Sequence, residues 1–194
     1  MSAYTLKIDA LGDLDDDRFS QLCRDNPELK FERNANGELI VMAPTGGETG
    51  RFNAELVIDV GLWNRQSGLG FCFDSSTGFR LPNGAERSPD LAWIAKSRWL
   101  SLNDQQRERF PPIVPDFVIE LRSPSDDLAK LQDKMREYID NGVRLAWLLD
   151  RERCCAEIYR PRQQVGQAVE IRQAPVTLSG EDVLPGFELN FSMF

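Results

Sequence analysis

Asp90 and Glu120 stand thirty positions apart in related settings, Ser-Pro-Asp-Leu-Ala-Trp-Ile from Ser88 and Pro-Asp-Phe-Val-Ile-Glu-Leu-Arg from Pro115. Side chains alternate along a β-strand, so Phe117, Ile119 and Leu121 face one side while Val118, Glu120 and Arg122 face the other. Glu120 and Arg122 are then neighbours on one face. A carboxylate beside a cation suits a hard divalent ion and a phosphate together: Mg²⁺ or Mn²⁺ takes oxygen ligands, and the cation steadies charge that develops in the transition state. Asp90, at the mouth of an adjacent strand, would be the second metal carboxylate. Such a metal polarises the phosphate and acidifies water, so the chemistry expected is hydrolysis of phosphodiesters without histidine. The bland alternative is that Pro-Asp is turn chemistry, Asp116 included, and that Glu120 and Arg122 form a surface ion pair of little worth.

A helix after this strand offers another cation. At 100° per residue, Leu128, Leu131, Met135, Tyr138 and Ile139 form one apolar face, and Lys134 lies beside it next to Tyr138. Lys134 can therefore reach over the sheet toward Glu120, whereas Lys130 points further into solvent.

Composition narrows the chemistry. The chain has 194 residues, 41% of them apolar, and no histidine, which removes the usual proton shuttle, histidine-dependent triads and most zinc sites. The net charge of −8 argues against a protein that coats nucleic acid through a basic surface. That charge is uneven: residues 1 to 60 hold 12 acids and 6 bases, whereas residues 61 to 165 hold 15 and 16. The central segment is thus free to approach an anion. Cys23, Cys72, Cys154 and Cys155 have no Cys-x-x-Cys spacing and read as reduced thiols. No apolar run reaches the roughly 18 residues of a membrane span, and the N-terminus lacks a signal-peptide pattern, so a cytoplasmic protein without a membrane partner is expected.

The elements that must position these residues follow from periodicity. Leu14 to Pro27 predicts a helix that begins on Asp15, Asp16 and Asp17. Leu29 to Pro44 holds two alternating runs around Asn36-Gly37, a hairpin. The glycine-rich Pro44 to Gly50 lacks the Lys-Ser/Thr of a phosphate-binding loop and leads into a helix over Thr49 to Gln66, with Phe52, Leu56, Val60 and Trp63 along one stripe. Glu48, at its start, is a further metal-ligand candidate; Glu55 reads as a surface carboxylate. Two strands flank Ser75 to Thr77, Asn83-Gly84 is a turn, and strands follow over Ser88 to Ala95, Pro115 to Ser123, Val143 to Asp150 and Cys154 to Arg160, with a short helical excursion between the first two, weaker strands beyond and a tail over Phe191 to Phe194 expected to pack. Asp126 or Asp127 starts the helix that Gly142 stops. The expectation is an α/β (α+β) chain with a mixed sheet: one domain over 1–194, with 1–45 as a helix and β-hairpin arm and 46–194 as the core.

Taken together, SPDLAWI, PDFVIELRSPSD, KMREYIDNGVRLAWLLD, IYRP and LPGFEL resemble the bacterial putative restriction endonuclease family of the PD-(D/E)xK nuclease superfamily. The likeness begins near Gly37-Glu38-Leu39 and runs to the C-terminus. It implies a restriction-endonuclease-like core, a divalent metal and DNA as substrate. Asp90 matches the acidic member of the first motif and Glu120 that of the second. Where the family carries a histidine, this chain has Glu48-Thr49-Gly50. The superfamily lysine would stand at Arg122, and relatives with an apolar residue there carry a lysine at the helix position of Lys134. Arginine stays protonated and cannot act as a base, so Lys134 is the preferred catalytic cation, with Arg122 a phosphate contact or its substitute.

Three functions compete: a metal-dependent DNA endonuclease, a non-catalytic nucleic-acid or protein-binding module on the same fold, and a carboxylate acid/base hydrolase of small substrates. Retention of Asp90 and Glu120 favours the first. A homodimer is expected, since cutting both strands needs two sites related by symmetry.

Overall fold

The computed structural model describes residues 3–7, 14–161 and 169–192. Met193 and Phe194, which end the tail expected to pack, lie outside the described residues. The central strands are β7 (Leu91–Ala95), β8 (Phe117–Arg122) and β9 (Leu145–Asp150). They sit in a six-stranded sheet with β4 (Gly70–Asp74), β10 (Cys155–Tyr159) and β11 (Glu170–Gln173), in the order β11-β10-β9-β8-β7-β4. Every neighbouring pair is antiparallel except β8 and β9, which run parallel with Glu120 opposite Leu148 and Arg122 opposite Asp150. A parallel pair needs a crossover, and α5 (Leu128–Asp140) provides it. Asp127 caps α5 by accepting from the Ala129 and Lys130 backbone N–H groups, and Gly142 follows at φ 108°, a left-handed turn that glycine adopts without strain.

The alternation read along β8 is present. Phe117, Ile119 and Leu121 join Leu91, Trp93 and Trp147 against α2 (Gly47–Ser67), whose Phe52, Leu56 and Val60 form the expected stripe. The C-terminal pair β12 (Val176–Ser179) and β13 (Glu188–Phe191) covers the same face. Val118, Ala92 and Leu148 face the other way and pack under Met135 and Tyr138 of α5. A sheet covered on both faces needs strands that are apolar nearly throughout, as β9 is; a charged residue there stands out.

The N-terminal elements form a second sheet. After β1 (Ala3–Leu6) and α1 (Asp16–Asp25), β2 (Lys30–Arg33) and β3 (Leu39–Met42) pair around Gly37, which sits at φ 79° as the hairpin requires. Phe31 of β2 packs under Phe19 of α1. One arrangement differs from the local reading. The strands flanking Ser75 to Thr77 do not pair with each other: β4 joins the large sheet, while β5 (Phe79–Arg80) pairs β6 (Glu86–Arg87), and β6 pairs β2. The arm's sheet, ordered β1-β3-β2-β6-β5, thus recruits strands from further along the chain. Short helices α3 (Lys96–Leu100) and α4 (Asp104–Arg107) fill the excursion before β8. No helix of the described residues is long and apolar enough to cross a membrane.

Candidate active site

Where the arm's sheet meets the ends of β7 and β8, a cleft of about 600 Å³ opens, with Lys30, Glu32, Arg87, Asp90, Glu120 and Lys134 on its walls. Asp90 and Glu120 arrive there by register. Leu91 pairs with Ile119 in an antiparallel ladder, so Asp90, one residue before, and Glu120, one residue after, occupy the next rung. Asp90 is 9% exposed and Glu120 5%. Asp90 Oδ2 accepts the Leu121 backbone N–H at 2.8 Å, and Oδ1 accepts from Asn53 Nδ2 at 3.2 Å. The first Pro-Asp is therefore part of the cleft. The second is not: Asp116 accepts the Ala95 N–H and pairs with Arg98 at 2.8 Å, tying α3 to the sheet.

Lys134 lies between two carboxylates. Its Nζ is 2.8 Å from Glu120 Oε1 and donates to Glu32 Oε1 at 2.9 Å. Glu32 Oε1 also accepts the Ser88 N–H, and its Oε2 pairs with Arg87 at 3.0 Å; Arg87 in turn donates to Glu137 at 2.6 Å. Tyr138 donates to Glu120 Oε1 at 2.9 Å, which holds that carboxylate's orientation and leaves Oε2 to other ligands.

Burial penalises both glutamates, with opposite outcomes. For Glu32 the attraction of Lys134 and Arg87 overcomes it, and the pKa falls to about 2. For Glu120 burial wins over Lys134, with Asp90 and Glu32 adding repulsion, and the pKa rises to about 7. Burial alone would lower Lys134, but Glu120 and Glu32 outweigh it and raise its pKa. One lysine shared by two carboxylates fully satisfies only one of them. Counting Glu32, Asp90, Glu120 and Glu137 against Lys30, Arg87 and Lys134, this part of the cleft has more anions than cations.

That deficit is what a divalent cation would relieve, and the donor set fits one. The atoms on offer are hard oxygens, as Mg²⁺ or Mn²⁺ requires. Beside Asp90, the Oδ1 of Asn53 is buried without a hydrogen-bond partner, an oxygen suited to a cation or its water. Among the described residues no three acidic, histidine or cysteine side chains form a ready-made ligand group, so water or amide oxygens must complete any coordination.

The other expected site residues lie elsewhere. Arg122 shares the face of Glu120, but its guanidinium turns to Asp150 at 3.0 Å and Glu152 at 3.1 Å and does not line the cleft. The parallel register that sets Arg122 opposite Asp150 brings them together. Glu48 points outward, 69% exposed, between Arg51 at 3.3 Å and Arg151 at 3.6 Å, and Glu55 pairs with Arg51. Thr49, one residue on from Glu48, is the part of that stretch that lines the cleft. Local reading missed Glu32 and Lys30. The one available signal was the alternation of β2, which sets Lys30 and Glu32 on the face opposite Phe31 and Arg33.

The comparisons with known proteins concern the family and the fold. The chain belongs to the Uma2 family, described as "Putative restriction endonuclease", whose model matches residues 16–192. Its fold resembles the crystal structure of a putative nuclease belonging to DUF820 from Anabaena variabilis, with a TM-score of 0.70 at 19% identity, covering 86% of this chain and 88% of that one. No curated protein matches. The architecture is thus a mixed α+β fold shared with that structure.

Proposed function

We propose that this chain is a divalent-metal-dependent endonuclease that hydrolyses phosphodiester bonds in DNA. The observation that carries the reading is the pair Asp90 and Glu120, buried on one rung of the β7–β8 ladder and opening into a cation-poor cleft with Lys134 beside them. Burying ionised carboxylates costs several kcal/mol each before compensation, and a structural role would call for balanced partners. Perturbed groups gathered in a cleft mark functional sites. The family description supports cleavage of nucleic acid, and DNA is the substrate class it suggests.

A bound Mg²⁺ or Mn²⁺ supplies Lewis-acid activation of the phosphate and of water. The protein's own part is to hold and orient. Asp90 and Glu120 supply the metal's carboxylate oxygens. The Leu121 N–H and Tyr138 fix their positions. Lys134, engaged by Glu32 and Glu120, keeps a third N–H to give to a phosphate oxygen as negative charge builds. Arg122 and Glu48 have no part in this reading, because each is directed to partners outside the cleft. Duplex cleavage would place two such sites in a homodimer.

The test is supercoiled plasmid incubated with purified protein and Mg²⁺ or Mn²⁺, with chelator as control. Nicking that chelator abolishes is expected. Intact plasmid across metals and pH, together with no Mn²⁺ binding detected by electron paramagnetic resonance, would sink the proposal.

A further inference from the structure

Lys30 differs from the other cations at the inner end of the cleft. Lys134 is clamped between Glu32 and Glu120, and Arg87 between Glu32 and Glu137. Lys30 lines the same cleft two residues before Glu32 on the same face of β2, and among the described residues no carboxylate lies within ion-pair distance of it. It is half-buried, so its ammonium is partly stripped of water yet open to the cleft. Burial lowers its pKa and Lys134 acts in the same direction, while Asp90, the strongest influence among the carboxylates, pulls the other way, ahead of Glu32 and Glu120. A half-desolvated lysine without a partner beside buried carboxylates is poised for an anion that arrives with the substrate.

We infer that Lys30, supplied by the N-terminal hairpin, is a substrate-binding residue whose ammonium contacts a backbone phosphate of the nucleic acid where it docks beside Asp90. The inference rests on the endonuclease reading of the cleft and adds a task for the arm. A strand is a stiff mount, so a phosphate held at Lys30 has a fixed offset from Asp90 and Glu120 on the facing sheet. Two cations then divide the work. Lys134 serves the carboxylates and the reacting group, and Lys30 sets where the strand lies.

The experiment separates binding from cutting. A fluorescently labelled short DNA duplex is titrated with full-length protein in Ca²⁺, an oxygen-seeking ion used here to support binding, over a series of salt concentrations. Each phosphate contact contributes a slope of about 0.9 in log affinity against log salt. Lys30→Gln is expected to weaken binding about tenfold and to reduce that slope by roughly one contact. Lys30→Arg, which keeps the charge, should retain the slope. Arg65→Gln removes the same charge at the exposed end of α2 and should leave both unchanged. Equal slopes for wild type and Lys30→Gln would overturn the inference. So would equal losses in Lys30→Gln and Lys30→Arg, which would point to packing. Tighter Mn²⁺ binding by Lys30→Gln with an unaltered DNA slope would instead make Lys30 a mere counter-charge, and overturn it too. If the wild type binds DNA with this Lys30 dependence but never cuts, the endonuclease reading fails while the contact stands; if it binds no DNA at all, both fall.

Discussion

Two charged clusters hang from the same strand two residues apart, and they solve the same electrostatic problem differently. At Arg122 the charges close on each other. Asp150, fully buried, accepts from the Arg122 guanidinium at 3.0 Å and from the Arg153 N–H, and Glu152 completes the pairing of Arg122. Further along the same face, Glu157 collects Gln132, Arg153 and Tyr159, and its pKa stays low in spite of burial because those partners donate to it. At Glu120 the charges do not close: Lys134 is divided between two carboxylates, Asp90 adds a third, and Glu120 is pushed up to about 7. The first cluster holds the sheet together. The second keeps an unmet demand for positive charge on the wall of a cleft, where a ligand can meet it. An acid and a base two residues apart on one strand face are thus assigned to different tasks by their distant neighbours.

The sharpest break between the clusters should appear on substitution of the metal carboxylates. Asp90→Asn and Glu120→Gln are expected to lower plasmid cleavage on the order of 10³-fold or more while preserving a cooperative unfolding transition, since each removes a hard ligand without removing volume. Cleavage at wild-type rates by either variant would erase the distinction between the clusters. Lys134→Ala should be next, lowering turnover on the order of 10²-fold with little change in DNA affinity, as loss of one preorganised cation does. Single-turnover rates and binding measured side by side check this.

Arg122→Ala should behave in the opposite way. Leaving Asp150 buried with one fewer partner is expected to cost about 2 kcal/mol of stability, less than for a fully buried pair because Arg122 is 15% exposed in its side chain. Activity per folded molecule should change little. Urea denaturation alongside cleavage decides it: a large fall in turnover with unchanged stability would return Arg122 to the chemistry.

The smallest effect is in pH. In metal-free protein Glu120 holds its proton more tightly folded than unfolded, so its contribution to stability is fully present below about pH 4.5 and lost as pH rises through about 7. Glu32 has the reverse sign, contributing above about pH 4.5 and losing that contribution as pH falls toward about 2. Wild type in chelator should therefore lose on the order of 1–2 kcal/mol between pH 4.5 and 7, and Glu120→Gln should lose less. Parallel pH curves for the two proteins would contradict the assignment to Glu120.

Much of the scaffold was legible in the order of residues because the causes are local. Asn36-Gly37 supplies the positive φ a tight hairpin needs, Asp127 and Gly142 bracket α5, and Phe52, Leu56 and Val60 recur at helical spacing to make a stripe. Alternation along β8 determined that Glu120 leaves the apolar face shared by Phe117 and Ile119, and the family resemblance marked Asp90 and Glu120 as a pair. Tertiary structure alone decided which charges meet. Lys134 and Glu32 are 102 residues apart in the chain, and Glu32 reaches the site only because β6 joins the arm's sheet and turns the face of β2 that carries Lys30 and Glu32 toward the cleft. Arg122 is drawn off by Asp150 because a parallel register sets them opposite each other. Periodicity says on which side of its own strand or helix a side chain lies; what waits on that side is set by pairing and packing between distant segments, and the Coulomb interactions that tune a site depend on those distances.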